Sequence, residues 1–192
     1  MPELAPLPPG PFSIVLADPP WSFRVWQGNK GRRFPSRTAD SHYRTLSTDE
    51  ICALSVPAVC APDCSLFLWV PSCALPEGLR VIEGWGFEFK TVAFVWVKRN
   101  RVNGLLYWGM GHWTRSGAEL CLLATRGKPT RAARNVHQVV EAAVREHSRK
   151  PDEVRDRIVS LLGDLPRLEL FARERADGWI PWGDEVGVGV FA

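Results

Sequence analysis

The chain has 192 residues, 45% hydrophobic and 23% charged, the proportions of a globular protein able to bury one sizeable core. No stretch reaches the roughly 20 apolar residues that cross a bilayer, and the proline-rich residues 1–10 lack the basic-then-apolar order of a secretion signal. One domain over residues 1–192 in the cytoplasm is expected, with residues 1–10 as a flexible lead-in.

In chain order, the first element is the run Ser13-Ile14-Val15-Leu16-Ala17, short and apolar, which suits a strand buried on both faces. It ends at Asp18-Pro19-Pro20-Trp21. A polar stretch follows that carries Arg24, Lys30, Arg32, Arg33, Arg37 and Arg44. A helix is predicted over 48–59, opened by the capping sequence Ser47-Thr48-Asp49-Glu50, with Ile51, Leu54 and Ala58 on one face. Residues 66–70 read as a strand, about 75–84 as a helix, and 92–97 and 120–125 as two more strands.

Between those last two strands lies a second basic stretch with Lys98, Arg99 and Arg101. Although the net charge is only +3, these two stretches concentrate the positive charge in loops, where solvation and phosphate contact are both open. The last helix is predicted over 151–162, with Pro151 in its first turn, Asp152 and Glu153 near its positive end, and Val154, Ile158, Val159 and Leu162 at helical spacing. Residues 168–171 form the last predicted strand. Strands alternating with helices imply an α/β fold with a mainly parallel sheet, covered by helices on both faces, that binds ligands beyond the carboxyl ends of its strands.

The five cysteines (Cys52, Cys60, Cys64, Cys73, Cys121) mostly sit in apolar runs and are expected as buried free thiols. No Cys-x-x-Cys pair occurs, and His42, His112, His137 and His147 are not at zinc-ligand spacing from Cys60 and Cys64, so no structural metal is expected.

Asp18-Pro19-Pro20-Trp21 falls where a strand ends at the ligand-binding edge of the sheet. Two prolines fix φ and remove two N–H donors, leaving rigid carbonyl acceptors beside the Asp18 carboxylate. Two acceptors in fixed geometry suit an amino group with two N–H bonds. The exocyclic amine of adenine is a poor nucleophile because its lone pair is delocalised into the ring. Hydrogen bonds to Asp18 and the Pro19 carbonyl would draw that nitrogen toward tetrahedral geometry for attack on a sulfonium methyl, with Trp21 stacked on a flipped or single-stranded base. The plainer alternative is a turn with Trp21 in the core.

At these residues the chain resembles the adenine-N6 methyltransferase family named for the seventy-kilodalton subunit of the messenger-RNA adenosine methyltransferase, the MT-A70-like family, in its short phage and bacterial form. Further blocks follow in order: Trp96-Val97-Lys98; Gly111-His112-Trp113 through Glu119-Leu120-Cys121-Leu122; His147-Ser148-Arg149-Lys150-Pro151-Asp152-Glu153; Glu169-Leu170-Phe171-Ala172-Arg173; and Trp179 with Trp182-Gly183-Asp184-Glu185. The resemblance implies a Rossmann-like, S-adenosylmethionine-dependent methyltransferase in permuted order, with the catalytic tetrapeptide first and the cofactor contacts last.

The cofactor residues it implies are Asp18, Lys150, Phe171, Arg173, Asp184 and Glu185. Lys150, just before a helix, would hold the methionyl carboxylate, with Arg173 and the Asp184-Glu185 pair near the ribose and adenine. Substrate contacts are expected from Trp21, Trp96, Lys98, Glu119, Arg32 and Arg33. The stretch Glu174-Arg175-Ala176 departs from the histidine and asparagine that the eukaryotic catalytic subunit carries after its arginine.

About a dozen residues precede the first strand, so no separate recognition domain is expected. Recognition then falls to the loops near 21–44 and 98–115, where Trp26, Phe34, Trp108 and Trp113 interleave with basic residues, or to a partner subunit. The expected unit is a monomer or homodimer. The expected activity is methylation of adenine N6 in DNA, with RNA adenosine, the exocyclic amine of cytosine, or a non-catalytic nucleic-acid-binding role as alternatives.

Overall fold

The computed structural model describes residues 5–22, 45–109, 111, 113–146 and 149–187. Its strands are β1 (Phe12–Ala17), β2 (Cys60–Val70), β3 (Glu88–Arg99), β4 (Ala118–Arg126), β5 (Val139–Ala143), β6 (Arg167–Leu170) and β7 (Ile180–Trp182). Its helices are α1 (Thr48–Cys52), α2 (Val56–Val59), α3 (Leu75–Gly84) and α4 (Glu153–Leu162).

All seven strands join one sheet in the order β5-β3-β4-β2-β1-β6-β7. Four of its pairings are parallel, and the two made by β4 are antiparallel, so β4 alone runs against the rest. The mainly parallel, Rossmann-like sheet is therefore as expected. Its one reversed strand has a consequence for the site: the first residues of β4 lie at the same edge as the last residues of β1, β2, β3 and β6.

Side-chain alternation along the strands divides the core in two. Val15, Ala17, Leu66, Leu68 and Val70 face Ile51, Val56, Val81 and Ile82 from α1, α2 and α3. Ile14, Leu16, Phe67, Trp69, Phe94 and Trp96 face Val154 and Ile158 from α4. Burial on both faces explains why β1 and the end of β2 are continuous apolar runs in sequence. On the first face α3 lies so close to β2 that a Cβ on Gly78 would sit 2.6 Å from Val70 Cγ2. Residues 5–10, expected as a flexible lead-in, have no regular structure, yet Leu7 packs against this core.

Ser47 begins α1 with a full capping box: its Oγ accepts from the Glu50 N–H, and Glu50 Oε2 accepts from the Ser47 N–H at 2.8 Å. The single helix expected over 48–59 is instead two short ones. Pro57 supplies no N–H and its ring conflicts with the carbonyl four residues earlier, so the chain turns at 53–55 and restarts at Val56. The last helix likewise begins at Glu153, with Asp152 as its N-cap, rather than at Pro151. Strand β6 ends one residue before Phe171, whose backbone turns left-handed at φ 61°. Strands β5 and β7 were not foreseen. They are short edge strands, one rich in alanine and one containing Pro181, and carry little strand pattern. Of the cysteines only Cys64 and Cys121 are buried; Cys52 and Cys60 are half-buried and Cys73 is exposed, which corrects the expectation that all five lie inside.

Candidate active site

Asp18 follows β1 directly, and its backbone N–H points to the carbonyl of Leu170 at the end of the neighbouring parallel strand β6. The two strand ends thus set Asp18 beside Phe171. A cleft of about 450 Å³, part of it open to solvent, lies here against the start of α4. Its apolar floor includes Leu16, Trp69, Val154 and Phe171, and its charged wall includes Asp18, Arg149, Lys150, Arg155, Glu169, Arg173 and Glu174.

Lys150 Nζ donates to Asp18 Oδ2 at 2.8 Å, lies 3.7 Å from Glu119 Oε2, and sits 5.7 Å from the centre of the Trp69 ring. Burial works against the Lys150 ammonium, but Asp18 and Glu119 outweigh it and hold its pKa above the usual lysine range. Glu119 is placed here because β4 runs backwards. Its Oε2 also lies 3.5 Å from Lys98 Nζ and is buried, with no hydrogen-bond partner among the described residues. Two carboxylates and two ammonium groups therefore form one chain, Asp18–Lys150–Glu119–Lys98, along the carboxyl edge of the sheet.

The tetrapeptide is braced by its own carbonyls. The Trp21 N–H donates to the Pro19 carbonyl at 2.8 Å, and the Leu46 N–H to the Pro20 carbonyl at 2.9 Å. Each carbonyl has a second lone pair, so the Pro19 oxygen is fixed in place with one acceptor position that no described residue fills. Trp21 itself is 5% exposed and belongs to the core, with Nε1 donating to the Trp69 carbonyl at 2.9 Å. This corrects the expectation of an open stacking platform. Trp96, expected among the substrate contacts, is buried: its Nε1 donates to the Ala142 carbonyl, and Lys98 Nζ lies 4.9 Å over its ring.

On the far side of the cleft, the Ala172 N–H donates to the Trp182 carbonyl, which ties the segment after β6 to the segment after β7. A Cβ on Gly183 would lie 2.3 Å from the Ala172 carbonyl oxygen, so only glycine permits this approach. Glu185 Oε1 thereby comes within 3.8 Å of Arg173 Nε. Arg173 lines the cleft, and Glu185 joins it through this ion pair. Arg32 and Arg33 lie outside the described residues, as do Trp26, Phe34 and the rest of the first basic stretch.

The second basic stretch is largely matched by acids: Arg99 bonds Glu141, and Arg101 lies 4.0 Å from Glu146. Beyond it, Trp108 and Trp113 are exposed, the latter at 99%.

Sequence reading missed a part-buried network of arginines and carboxylates around the start of α4. Arg155 donates twice to Glu169, at 2.9 Å each, and also to Glu174 at 3.0 Å and Asp152 at 3.1 Å. Arg149 also bonds Glu174, and Arg145 bonds Asp152 and the Lys150 carbonyl. Burial lifts the Glu169 carboxyl above its ordinary range despite Arg155, whereas the Arg145 guanidinium pulls Asp152 down to about 2. The signal available in the sequence was a glutamate inside an otherwise apolar final strand.

The family model described as MT-A70 matches residues 12–185. The chain is 36% identical to the type II methyltransferase M.MunI of Mycoplasma sp., over 94% of this chain and 80% of that protein. It is 34% identical to the N(6)-adenosine-methyltransferase MT-A70-like protein of Drosophila melanogaster and 33% identical to the human N(6)-adenosine-methyltransferase catalytic subunit METTL3. Each of those alignments covers 92% of this chain but only 27% and 28% of the respective relative, about a quarter of its length.

Proposed function

The chain belongs to the MT-A70 methyltransferase family, and we propose that within it this protein transfers a methyl group from S-adenosylmethionine to the N6 amine of adenine in DNA. The observation that carries the proposal is the Asp18–Lys150 pair at the mouth of a cleft whose walls bear both signs of charge.

Those walls fit the cofactor's chemistry. Its methionyl end carries a carboxylate and an ammonium, which Lys150 and Asp18 complement, while Arg173 with Glu185 offers a donor and an acceptor for ribose hydroxyls. When bound, S-adenosylmethionine supplies an electrophilic methyl group on its sulfonium. The protein's part is to present the amine. Asp18 and a lone pair of the braced Pro19 carbonyl accept its two N–H bonds, and Glu119 Oε2, held between Lys98 and Lys150, is a further acceptor for a base edge. Stacking falls to exposed aromatics such as Trp108 and Trp113, at about 1–3 kcal/mol per base, since Trp21 is in the core.

DNA is favoured because a relative of comparable length is a type II methyltransferase, a class that modifies DNA. RNA is the second reading, favoured by the N(6)-adenosine relatives. Incubating the protein with S-adenosylmethionine and matched DNA and RNA oligonucleotides, followed by nucleoside mass spectrometry, separates them. N6-methyldeoxyadenosine supports the proposal. Product in RNA alone, N4-methylcytosine, or cofactor binding without turnover on either polymer overturns it.

A further inference from the structure

The amino end of β2, at the opposite edge of the sheet from the cleft, brings two cysteines together. Phe12 pairs with Cys60, and Ile14 pairs with Ser65, so two residues of β1 are matched by five of β2. Two strand residues span about 7 Å, whereas five in extended form span about 17 Å. The chain from Cys60 to Ser65 must therefore arch out of the strand as a bulge whose two ends, Cys60 and Ser65, lie opposite positions only two residues apart on β1. Both cysteines belong to the same core cluster; Cys60 Sγ donates to the Val56 carbonyl at 3.2 Å and Cys64 Sγ lies 3.9 Å from the Ser65 carbonyl.

The arch is anchored from outside. Asp63 Oδ1 accepts from the Lys128 N–H at 2.7 Å, and Arg126 Nη1 donates to the Pro57 carbonyl at 2.9 Å. That second bond holds a guanidinium next to the cysteine pair. Cys60 is half-buried and reachable by a small oxidant, while Cys64 is fully buried behind it.

From this arrangement we propose that Cys60 and Cys64 form a reversible intramolecular disulfide, with Cys60 as the attacking thiol, Cys64 as the resolving thiol and a hydroperoxide as the oxidant. The Cys60 thiolate attacks the peroxide, cleaving its O–O bond. The sulfur becomes a sulfenic acid, and an alcohol or water leaves with the proton. The Cys64 sulfur then displaces the sulfenic oxygen as water, so that two thiols are oxidised by two electrons and one peroxide is reduced.

The electrostatics agree with this order. Cys64 and Arg126 lower the Cys60 pKa, whereas the neighbouring Cys60 and burial raise that of Cys64. Of the remaining thiols, Cys52, Cys73 and Cys121 are all raised by burial. The exposed Cys73 is the natural competitor for the oxidant, and its raised pKa leaves it a weaker one.

The experiment is treatment of the folded full chain with one equivalent of hydrogen peroxide, then alkylation and tandem mass spectrometry. The expected product has lost the mass of two hydrogens, carries no alkyl group on Cys60 or Cys64, and is restored by dithiothreitol. In Cys64→Ser, dimedone should label Cys60 in preference to Cys52 and Cys73. Full alkylation of Cys60 and Cys64 after peroxide, a disulfide that joins Cys52 or Cys73 instead, or dimedone labelling of Cys73 ahead of Cys60 overturns the proposal.

Discussion

Lys150 Nζ and Asp18 Oδ2, 132 positions apart in the chain, meet at 2.8 Å across the carboxyl edge of the sheet. This contact joins the first of the ordered sequence blocks to the one that precedes α4. It also means that any ligand carboxylate reaching Lys150 shares that ammonium with Asp18 or displaces it.

Replacing Lys150 with Met should therefore act on binding before turnover. A charge-assisted hydrogen bond is worth about 1.5–3 kcal/mol, so the dissociation constant for S-adenosylmethionine is expected to rise by roughly 10- to 100-fold. Calorimetry checks this, and an unchanged constant removes Lys150 from the cofactor site.

Arg155→Ala should be costly to the fold itself. It leaves Glu169, on a buried strand, without either of its two guanidinium hydrogen bonds. Breaking one side of a buried pair costs on the order of 3 kcal/mol, which a urea titration of wild type and variant will read. Arg155→Lys should recover part of the loss, since it restores the charge without the paired geometry.

Gly183→Ala tests the join between the segments after β6 and β7. The new methyl group would meet the Ala172 backbone, so the two segments must part, carrying Glu185 away from Arg173. Overpacking of this kind costs about 1–3 kcal/mol. A lowered melting temperature together with weaker cofactor binding is expected; wild-type values for both would show that the close approach is not needed.

The acid limb of stability should depend on Asp152. Its carboxyl is held down to about 2 from an ordinary 3.8, chiefly by the hydrogen bonds from Arg145. A depressed carboxyl contributes stability that is fully present above about pH 4 and is lost as pH falls through about 2. Its side chain is half exposed, so solvent screening keeps the effect modest. Denaturant midpoints for wild type and Asp152→Asn should differ at pH 6 and converge as the pH approaches 2.

Much of this was legible in the sequence because local chemistry and tertiary role coincide. The buried run before Asp18, the capping box at Ser47 and the helix at Leu75–Gly84 each carry their signal within a dozen residues. The reversal of β4 carries none, since strand direction is set by which neighbours remain unpaired, and it is this reversal that brings Glu119 to Lys150. Trp21 was misread for a related reason. An aromatic after Asp-Pro-Pro looks available for stacking, but the parallel bridge to Leu46 and the bond to the Trp69 carbonyl draw it inward. Arg155 was passed over because an arginine on an amphipathic helix reads as solvated until three carboxylates are found around it.

The central claim is that Asp18 activates the amine, and Asp18→Asn tests it most directly. The variant keeps the size of the side chain and one carbonyl acceptor but loses the carboxylate. With isotopically labelled S-adenosylmethionine and a DNA substrate, wild type should place the label on N6 of deoxyadenosine. Asp18→Asn should lose at least about 100-fold in turnover while its cofactor dissociation constant stays within roughly tenfold of wild type. Wild-type turnover by Asp18→Asn would contradict the account.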